Sequence, residues 1–448
     1  MRKSFHRAVH KLQRRNTAPP HVIAHHHRSI GLRFAQLMQS GRSAWVAFLA
    51  VLGPGLLAGL SDDDPAGITT YSVLGTDFGY QLLWIIPAST VLLVQFHLIA
   101  VRIGAATGKG FVSVIRKKWG RTAGYITVVG LLLANFGTIC AEYAGISAAG
   151  SLVGIPSWIS APAAGVLISL VVVLGSFHRV EKVLLVISAT LALYIIDGFL
   201  AAPDWGAVLH NSVTPHMPSN AAGWIAIAAA LGTTLAPWGL AFIQSYAVDK
   251  KITLETLRWA RWDVIIGSVL TGIIGLAIAV ACAATLNKAG VHIQDAGDAA
   301  KALQPLAGRF ATVLFGAGLL GASLLAAAIV PIATAYSIAE SVDEPASLDL
   351  DSHHFQWFYS AFIVLTIAAV SLVSLPNLPL IPMIYTSQVV NAVLLPLHVI
   401  ALQIIASDPA IMGAARTTPA FRFLGWGSIA LILACVAALA WSWAFNAP

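Results

Sequence analysis

Charged residues are scarce in this 448-residue chain. Asp, Glu, Lys and Arg together make up only 10%, whereas 58% of the residues are hydrophobic. Soluble globular proteins carry about 25% charged residues, so the composition excludes a soluble enzyme, a disordered protein and a secreted disulfide scaffold. Cysteine is also scarce. The three cysteines lie singly in apolar runs, which gives neither a disulfide framework nor the spacing of a zinc site.

In place of charge, the chain has a series of long apolar runs. A membrane-spanning helix needs about 20 mostly apolar residues, and several runs reach that length. The sequence therefore predicts an all-α polytopic membrane protein rather than a β-barrel with short alternating strands. We predict eleven spans, numbered in chain order: 44–75, 82–103, 122–150, 160–177, 183–201, 221–248, 263–285, 309–339, 357–375, 379–406 and 423–444.

The distribution of positive charge predicts the orientation. Residues 1–43 form a tail with nine Lys/Arg, six His and no acidic residue. If this tail is cytoplasmic, 23 of the 26 Lys/Arg residues lie on the cytoplasmic side, as the positive-inside rule requires. We expect a multi-pass protein of the plasma (inner) membrane with its C-terminus outside. The tail would contact anionic lipid; metal binding by its histidines is the alternative.

Span 1 carries charge in the middle of an apolar run. Asp62, Asp63 and Asp64 are consecutive and are followed by Pro65. Each charge at the bilayer centre costs at least ~2.5–3.5 kcal/mol, and proline disfavours helix in the residue before it. Such a break is tolerated only where it lines a cavity or is buried in protein. The alternative is that span 1 starts late and the aspartates cap a surface helix.

Span 6 has a similar interruption at Pro237. Spans 1 and 6 open two successive groups of five spans, 44–201 and 221–406, with 423–444 as an extra span. Interrupted segments at corresponding positions of two halves indicate a transporter built as an inverted repeat, with its site near the membrane midplane. An ordinary proline kink is the alternative for span 6.

The residues beside the two breaks suit a cation. Asp64 offers a carboxylate. We expect backbone carbonyls at four further positions to add oxygen donors: Ala66, Gly67, Thr233 and Thr234. Carboxylate, carbonyl and water are ligands that suit Mg²⁺, Ca²⁺ or Mn²⁺ rather than copper or zinc.

The same segments resemble those of the Nramp family of divalent-metal transporters. DPAG at 64–67 resembles the family's DPGN motif, and TTLAPW at 233–238 lies where the family has a motif ending Met-Pro-His. The stretches Gln95–Trp119, Arg179–Leu185 and Thr386–Leu397 are similar to the family's second, fifth and tenth spans. The resemblance covers spans 1 to 10. It implies a LeuT-like inverted repeat of 5+5 spans plus one extra C-terminal span.

The chain departs from the family at several positions near the breaks. The family's metal-binding Asp is kept as Asp64. At the positions where the family has an Asn and a metal-binding Met, this chain has Gly67 and Ala236. The span-6 His is replaced by Trp238, whose indole cannot titrate, and an Asp of the family's proton path is Ile139. These changes resemble the Nramp-related magnesium transporter branch. Losing the thioether removes a reason to reject Mg²⁺, and smaller side chains leave room for a hydrated ion.

Other polar residues leave alternatives open. Glu142, a family Glu that is retained on span 3, lines the cation path or pairs with a cation such as Arg102. Gln388 on span 10 is a neutral oxygen donor to the metal or makes a helix–helix hydrogen bond. Asp62 and Asp63 hold the water shell of the ion or attract cations in an outer vestibule.

These observations predict a secondary transporter of Mg²⁺ and Mn²⁺ that works by alternating access and is not coupled to protons. The alternatives are a proton-coupled Mn²⁺/Fe²⁺ importer of the Nramp type, a cation channel and an intramembrane enzyme. We expect no cofactor, since the metal is the transported substrate. The expected partners are divalent cations and the lipid bilayer, with no nucleic acid. The sequence does not set the oligomeric state, and a monomer is compatible with it.

Overall fold

The computed structural model describes residues 64–173, 193–303, 308–344 and 356–445, and the statements below concern this part of the chain. It is helical there, with short 3-10 and π turns and no strand. The basic tail 1–43, the first part of span 1 with Asp62 and Asp63, and the stretch Arg179–Leu185 lie outside the described residues.

Helices occupy the predicted spans. In chain order from span 1 to span 11 they are Pro65–Phe78, Ile85–Thr107, Arg121–Ser151, Ser157–Val173, Leu193–Leu200, the pair Ala221–Thr234 and Pro237–Asp249, Leu257–Cys282, Ala311–Val342, Gln356–Val373, Leu380–Ser407 and Pro419–Phe445. Shorter helices connect them at Phe111–Trp119, Trp205–Val213, Ala296–Ala300 and Pro409–Met412. We call Phe111–Trp119 the loop helix.

Seven of the described helical segments, spans 2, 3, 6, 7, 8, 10 and 11, are long and apolar enough to cross a membrane. Spans 4 and 9 form shorter apolar helices, and spans 1 and 5 are described only in part. The prediction of a helical multi-pass membrane protein is therefore confirmed. The number eleven stays a prediction.

Span 6 is the most enclosed of these segments. In its most apolar stretch 94% of the residues are buried, against 28% in span 11. Membrane helices approach closely where their interfaces carry small residues. Gly232 of span 6 is such a residue, because a Cβ atom there would overlap the backbone carbonyl oxygen of Gln388 in span 10. Large apolar side chains such as Leu133 and Val166 point outward, as contact with hydrocarbon requires.

Candidate cation site

Asp64 caps the helix that forms the second half of span 1. Its backbone is extended, and its Oδ1 accepts a hydrogen bond of 2.7 Å from the Gly67 N–H. Pro65 is the first helical residue, where a missing N–H costs no hydrogen bond. The Asp64 side chain is only 4% exposed. The sequence Asp-Pro-Ala-Gly thus starts a helix and leaves a buried carboxyl group at its N-terminus.

The expected contribution of Ala66 and Gly67 carbonyls is wrong. Both residues lie in the first turn of the helix Pro65–Phe78. A helix N-terminus leaves N–H groups without helical partners, whereas the carbonyls of its first turn point along the helix and accept intrahelical bonds. The Asp64 carbonyl is likewise used, by the Ile68 N–H at 3.0 Å. Any carbonyl freed by the break in span 1 therefore precedes Asp64, outside the described residues.

The break in span 6 falls at Leu235 and Ala236, which separate the helices Ala221–Thr234 and Pro237–Asp249. Here carbonyls are freed, because a helix C-terminus leaves its last carbonyls without helical donors. The carbonyl of Thr233 would normally bond the N–H of residue 237, but proline has none. The C-terminal end of this half-helix, with its partial negative charge, is a favourable place for a cation.

Thr233 and Thr234 have different roles. The Thr234 hydroxyl bonds the Tyr71 hydroxyl at 2.8 Å, the Ser89 hydroxyl at 3.0 Å and the Ala230 carbonyl at 2.7 Å. It therefore ties the first half of span 6 to spans 1 and 2. The Thr233 hydroxyl is buried with no hydrogen-bond partner among the described residues. Of the two threonines, Thr233 has its side-chain oxygen free for a ligand.

Glu142 lies beside Asp64 rather than beside Arg102. Its carboxyl group interacts electrostatically with the Asp64 carboxyl group, and its side chain is 0% exposed. Neither Glu142 oxygen accepts a hydrogen bond of standard geometry from any residue that the structure describes. The alternative of a structural ion pair with Arg102 is therefore not observed.

A glycine lets span 3 come this close to the break. A Cβ atom on Gly145 would overlap the Pro65 ring and come within 2.5 Å of the Ser323 Oγ. Gly145 lies three residues after Glu142, almost one helical turn, so both residues face the same neighbouring helices. The absence of a side chain at Gly145 thus allows the close approach of span 3 to Pro65, the residue after Asp64.

The structure places the remaining predicted site residues as follows. Ala236, 4% exposed, lies in the break itself, between the two half-helices. Trp238 is buried, with its ring centroid 6.3 Å from that of Phe242. Gln388 donates from Nε2 to the Ser387 hydroxyl at 2.7 Å, and its Oε1 accepts from Asn391 at 2.9 Å. Both partners belong to span 10 itself, so the choice between a metal ligand and a helix–helix hydrogen bond at Gln388 stays open.

This arrangement can hold a cation with few protein ligands. Two carboxyl groups side by side repel each other when both are ionised, and a divalent cation relieves that repulsion. In the described ranges no group of three or more His, Cys, Asp or Glu side chains could form a metal cage. Asp64, Glu142 and the carbonyls at the end of the first half of span 6 supply only part of a coordination shell. Water would complete it, which suits Mg²⁺ because this ion usually keeps several waters.

Sequence reasoning missed four residues of this region: Tyr71, Gly145, Asn135 and Asn391. The two asparagines could have been found, because an amide inside an apolar span is unusual and faces protein rather than lipid. The roles of Tyr71 and Gly145 depend on contacts with residues far along the chain, which no local pattern reveals.

Comparison with known proteins identifies the family of this chain. The family model "Natural resistance-associated macrophage protein-like" (Nramp) matches residues 55–442. The divalent metal cation transporter MntH of Caldanaerobacter subterraneus subsp. tengcongensis is 27% identical over 389 residues, which cover 84% of this chain and 89% of that relative.

Two solved structures show the fold. The manganese transporter of Eremococcus coleocola, in a mutant form, superposes with a TM-score of 0.73 at 21% identity, covering 91% of this chain and 90% of that one. The nucleobase-cation-symport-1 family transporter Mhp1 gives 0.52 at 16% identity, covering 88% and 93%. The membrane fold is therefore LeuT-like. With the family model matching most of its length, the chain belongs to the Nramp family of divalent-metal transporters, and it is a membrane transporter rather than an enzyme.

Proposed function

We propose that this chain transports Mg²⁺, together with Mn²⁺, across the plasma membrane by alternating access around Asp64. The observation that carries the proposal is the make-up of the break in span 6. Ala236 lies between the half-helices, where the resembling family has a thioether ligand. With oxygen donors only, the site has no preference for soft transition metals.

The size of the side chains supports the same choice of ion. Gly67 and Ala236 are both small, so the space beside Asp64 is wider than a site with Asn and Met at these positions. Mg²⁺ loses its hydration waters reluctantly. A wide site with one or two carboxylates and some carbonyl oxygens can hold the ion with part of its water shell.

The second part of the proposal is that transport is not coupled to protons. Trp238 and Ile139 stand at two positions where the resembling family has titratable groups, and neither side chain can carry a proton. A divalent cation crossing 100 mV gains about 4.6 kcal/mol, twice the single-charge value. With a negative cell interior, the membrane potential alone would drive uptake.

A second candidate is a proton-coupled Mn²⁺/Fe²⁺ importer. The observation that favours it is Glu142, a buried carboxyl group beside Asp64 that could exchange a proton as the metal binds and leaves. Relatives named as divalent metal cation or manganese transporters are consistent with this candidate as well.

One experiment separates the two candidates. The full-length protein is reconstituted into liposomes, and uptake of Mg²⁺, Mn²⁺ and Ca²⁺ is measured at a fixed membrane potential while a trapped dye reports the internal pH. We expect Mg²⁺ and Mn²⁺ to compete with similar affinity and the internal pH to stay constant. Uptake of Mn²⁺ that excludes Mg²⁺ and acidifies the lumen would establish the importer instead.

A further inference from the structure

Two asparagines in spans 3 and 10 are buried with free acceptor oxygens. Asn135 and Asn391 are 1% and 0% exposed. The Oδ1 atom of each has no hydrogen-bond partner in the described part of the chain. A buried acceptor left without a donor costs about 1–3 kcal/mol, so each of these oxygens calls for a ligand that brings hydrogens or positive charge.

The orientation of the Asn391 amide is fixed by its neighbours. Its Nδ2 donates to the Gln388 Oε1 at 2.9 Å and to the Thr138 Oγ1 at 3.0 Å. Gln388 can only accept at that atom, because its own Nε2 donates to a serine hydroxyl. A reversed Asn391 would place two amide oxygens against each other. Its Oδ1 is therefore the atom that remains free.

The Asn135 amide is fixed in the same way. Its Nδ2 donates to the Thr334 Oγ1 at 2.8 Å, and the Thr334 hydroxyl lies 2.8 Å from the carbonyl of Val330. The hydroxyl hydrogen is used by that carbonyl, so Thr334 can only accept from Asn135. Both asparagines thus direct their donors into the helix interface and keep their oxygens unpaired.

Span 3 connects both asparagines to the carboxyl pair. Glu142, Thr138 and Asn135 follow one face of span 3 at helical spacing, and Asn391 joins this face through Thr138. Asn135 lies about 10.5 Å along the span from Glu142, on the side of the Arg121 end. The unpaired oxygens of Asn135, Asn391 and Glu142 are all acceptors, and acceptors are the complement of a hydrated cation, whose water molecules present their hydrogens outward.

We propose that the Asn135 and Asn391 oxygens form a second, uncharged subsite for a hydrated divalent cation, between spans 3, 8 and 10. This proposal rests on the proposed function, because the subsite would bind the same ion after it leaves Asp64 and Glu142. Both asparagines are closed off from solvent in this structure, so the ion reaches them only when spans 8 or 10 move relative to span 3. The subsite lies on the side where the positive-inside rule puts the cytoplasm.

The test measures binding rather than transport. Mn²⁺ is titrated into the purified full-length protein and free Mn²⁺ is followed by electron paramagnetic resonance, with Asp64→Ala present in every sample to remove the first site. We expect Asp64→Ala to keep weak Mn²⁺ binding. Adding Asn391→Leu or Asn135→Leu should weaken that residual binding at least about fivefold, as expected for loss of an acceptor to a charged ligand.

Ser337→Ala is the matched control, because it removes a buried hydroxyl of span 8 that donates to the Ala333 carbonyl of the same helix and leaves both asparagines and their hydrogen-bond partners in place. It should not change residual Mn²⁺ binding. If Asn391→Leu does not fold, Asn391→Asp replaces it, and the added charge should tighten binding. The subsite is refuted if Asp64→Ala shows no residual binding, or if the asparagine variants and Ser337→Ala behave alike. Absence of divalent-cation transport in the parent, with these binding results intact, would refute the proposed function only.

Discussion

Asp64 and Glu142 are buried side by side and close enough to interact electrostatically, although they come from spans 1 and 3 and are 78 positions apart in number. Asp64 caps a half-helix, and Glu142 makes no hydrogen bond of standard geometry with the described residues. Two buried carboxyl groups this close repel each other when both are ionised, and a divalent cation beside them relieves that repulsion. The roles of the two groups can be separated by substitution.

Glu142→Gln should weaken Mg²⁺ binding without changing proton movement. Removing one of two charges near the ion is expected to raise the KM for Mg²⁺ by about tenfold, which corresponds to about 1.4 kcal/mol. Uptake into liposomes with a trapped pH dye gives both quantities. Asp77→Asn is the control, since it makes the same charge change at a partly exposed position of span 1. Metal-dependent acidification in the parent that disappears in Glu142→Gln would show proton coupling.

Ala236→Met should shift the preference towards Mn²⁺ and Cd²⁺, alone or combined with Gly67→Asn. The thioether adds a soft ligand in the break of span 6 and reduces the room for bound water. We expect the ratio of Cd²⁺ to Mg²⁺ affinity to rise about tenfold, or about 1.4 kcal/mol, measured by competition for uptake. Ala236→Leu controls for volume, because it adds similar bulk without sulfur. Equal shifts in the two variants would mean that sulfur is not responsible.

Gly145→Ala should disturb the site, although the change is only one methyl group. The new Cβ atom would overlap Pro65, and forcing a methyl group into a close-packed contact costs about 1–3 kcal/mol. We expect a lower thermal midpoint and a several-fold loss of Mg²⁺ uptake. Gly427→Ala in span 11 meets open space and should be neutral on both measures. Parental uptake by Gly145→Ala would contradict the close approach of spans 1 and 3.

Glu340→Ala should destabilise the contact between span 8, the second half of span 6 and the loop helix. The Glu340 carboxylate accepts from the Ser245 hydroxyl at 2.6 Å and from the Val112 N–H at 2.9 Å. Leaving these buried donors unpaired costs about 1–3 kcal/mol. Asp343→Asn, which removes a 3.4 Å ion pair from a 73% exposed carboxylate and suits the left-handed backbone at this residue, should cost less than about 1 kcal/mol. Thermal unfolding of both variants in detergent compares them, and equal midpoints would contradict this prediction.

The sequence predicts the membrane class and the positions of the helices well, because span length and the helix-breaking effect of Pro65 and Pro237 are local properties. It also predicts Asp64, since a charge inside an apolar run is conspicuous. It assigns the wrong carbonyls at Ala66 and Gly67, because the pattern does not show on which side of the break the helix begins. The sequence could not predict how the Asn135 and Asn391 amides are oriented, because the orientation depends on hydrogen-bond partners in other spans.

The central claim is that Asp64 holds the transported ion. The most direct measurement is Mg²⁺ uptake into liposomes containing Asp64→Ala, compared with parent protein reconstituted in the same amount. Asp64 is buried at the break, and its Oδ1 accepts a hydrogen bond of 2.7 Å from the Gly67 N–H. A missing cap costs about 0.5–2 kcal/mol, so the variant should still fold. We predict that its uptake falls to the level of empty liposomes. Well-folded Asp64→Ala protein that transports Mg²⁺ at the parental rate would contradict the account.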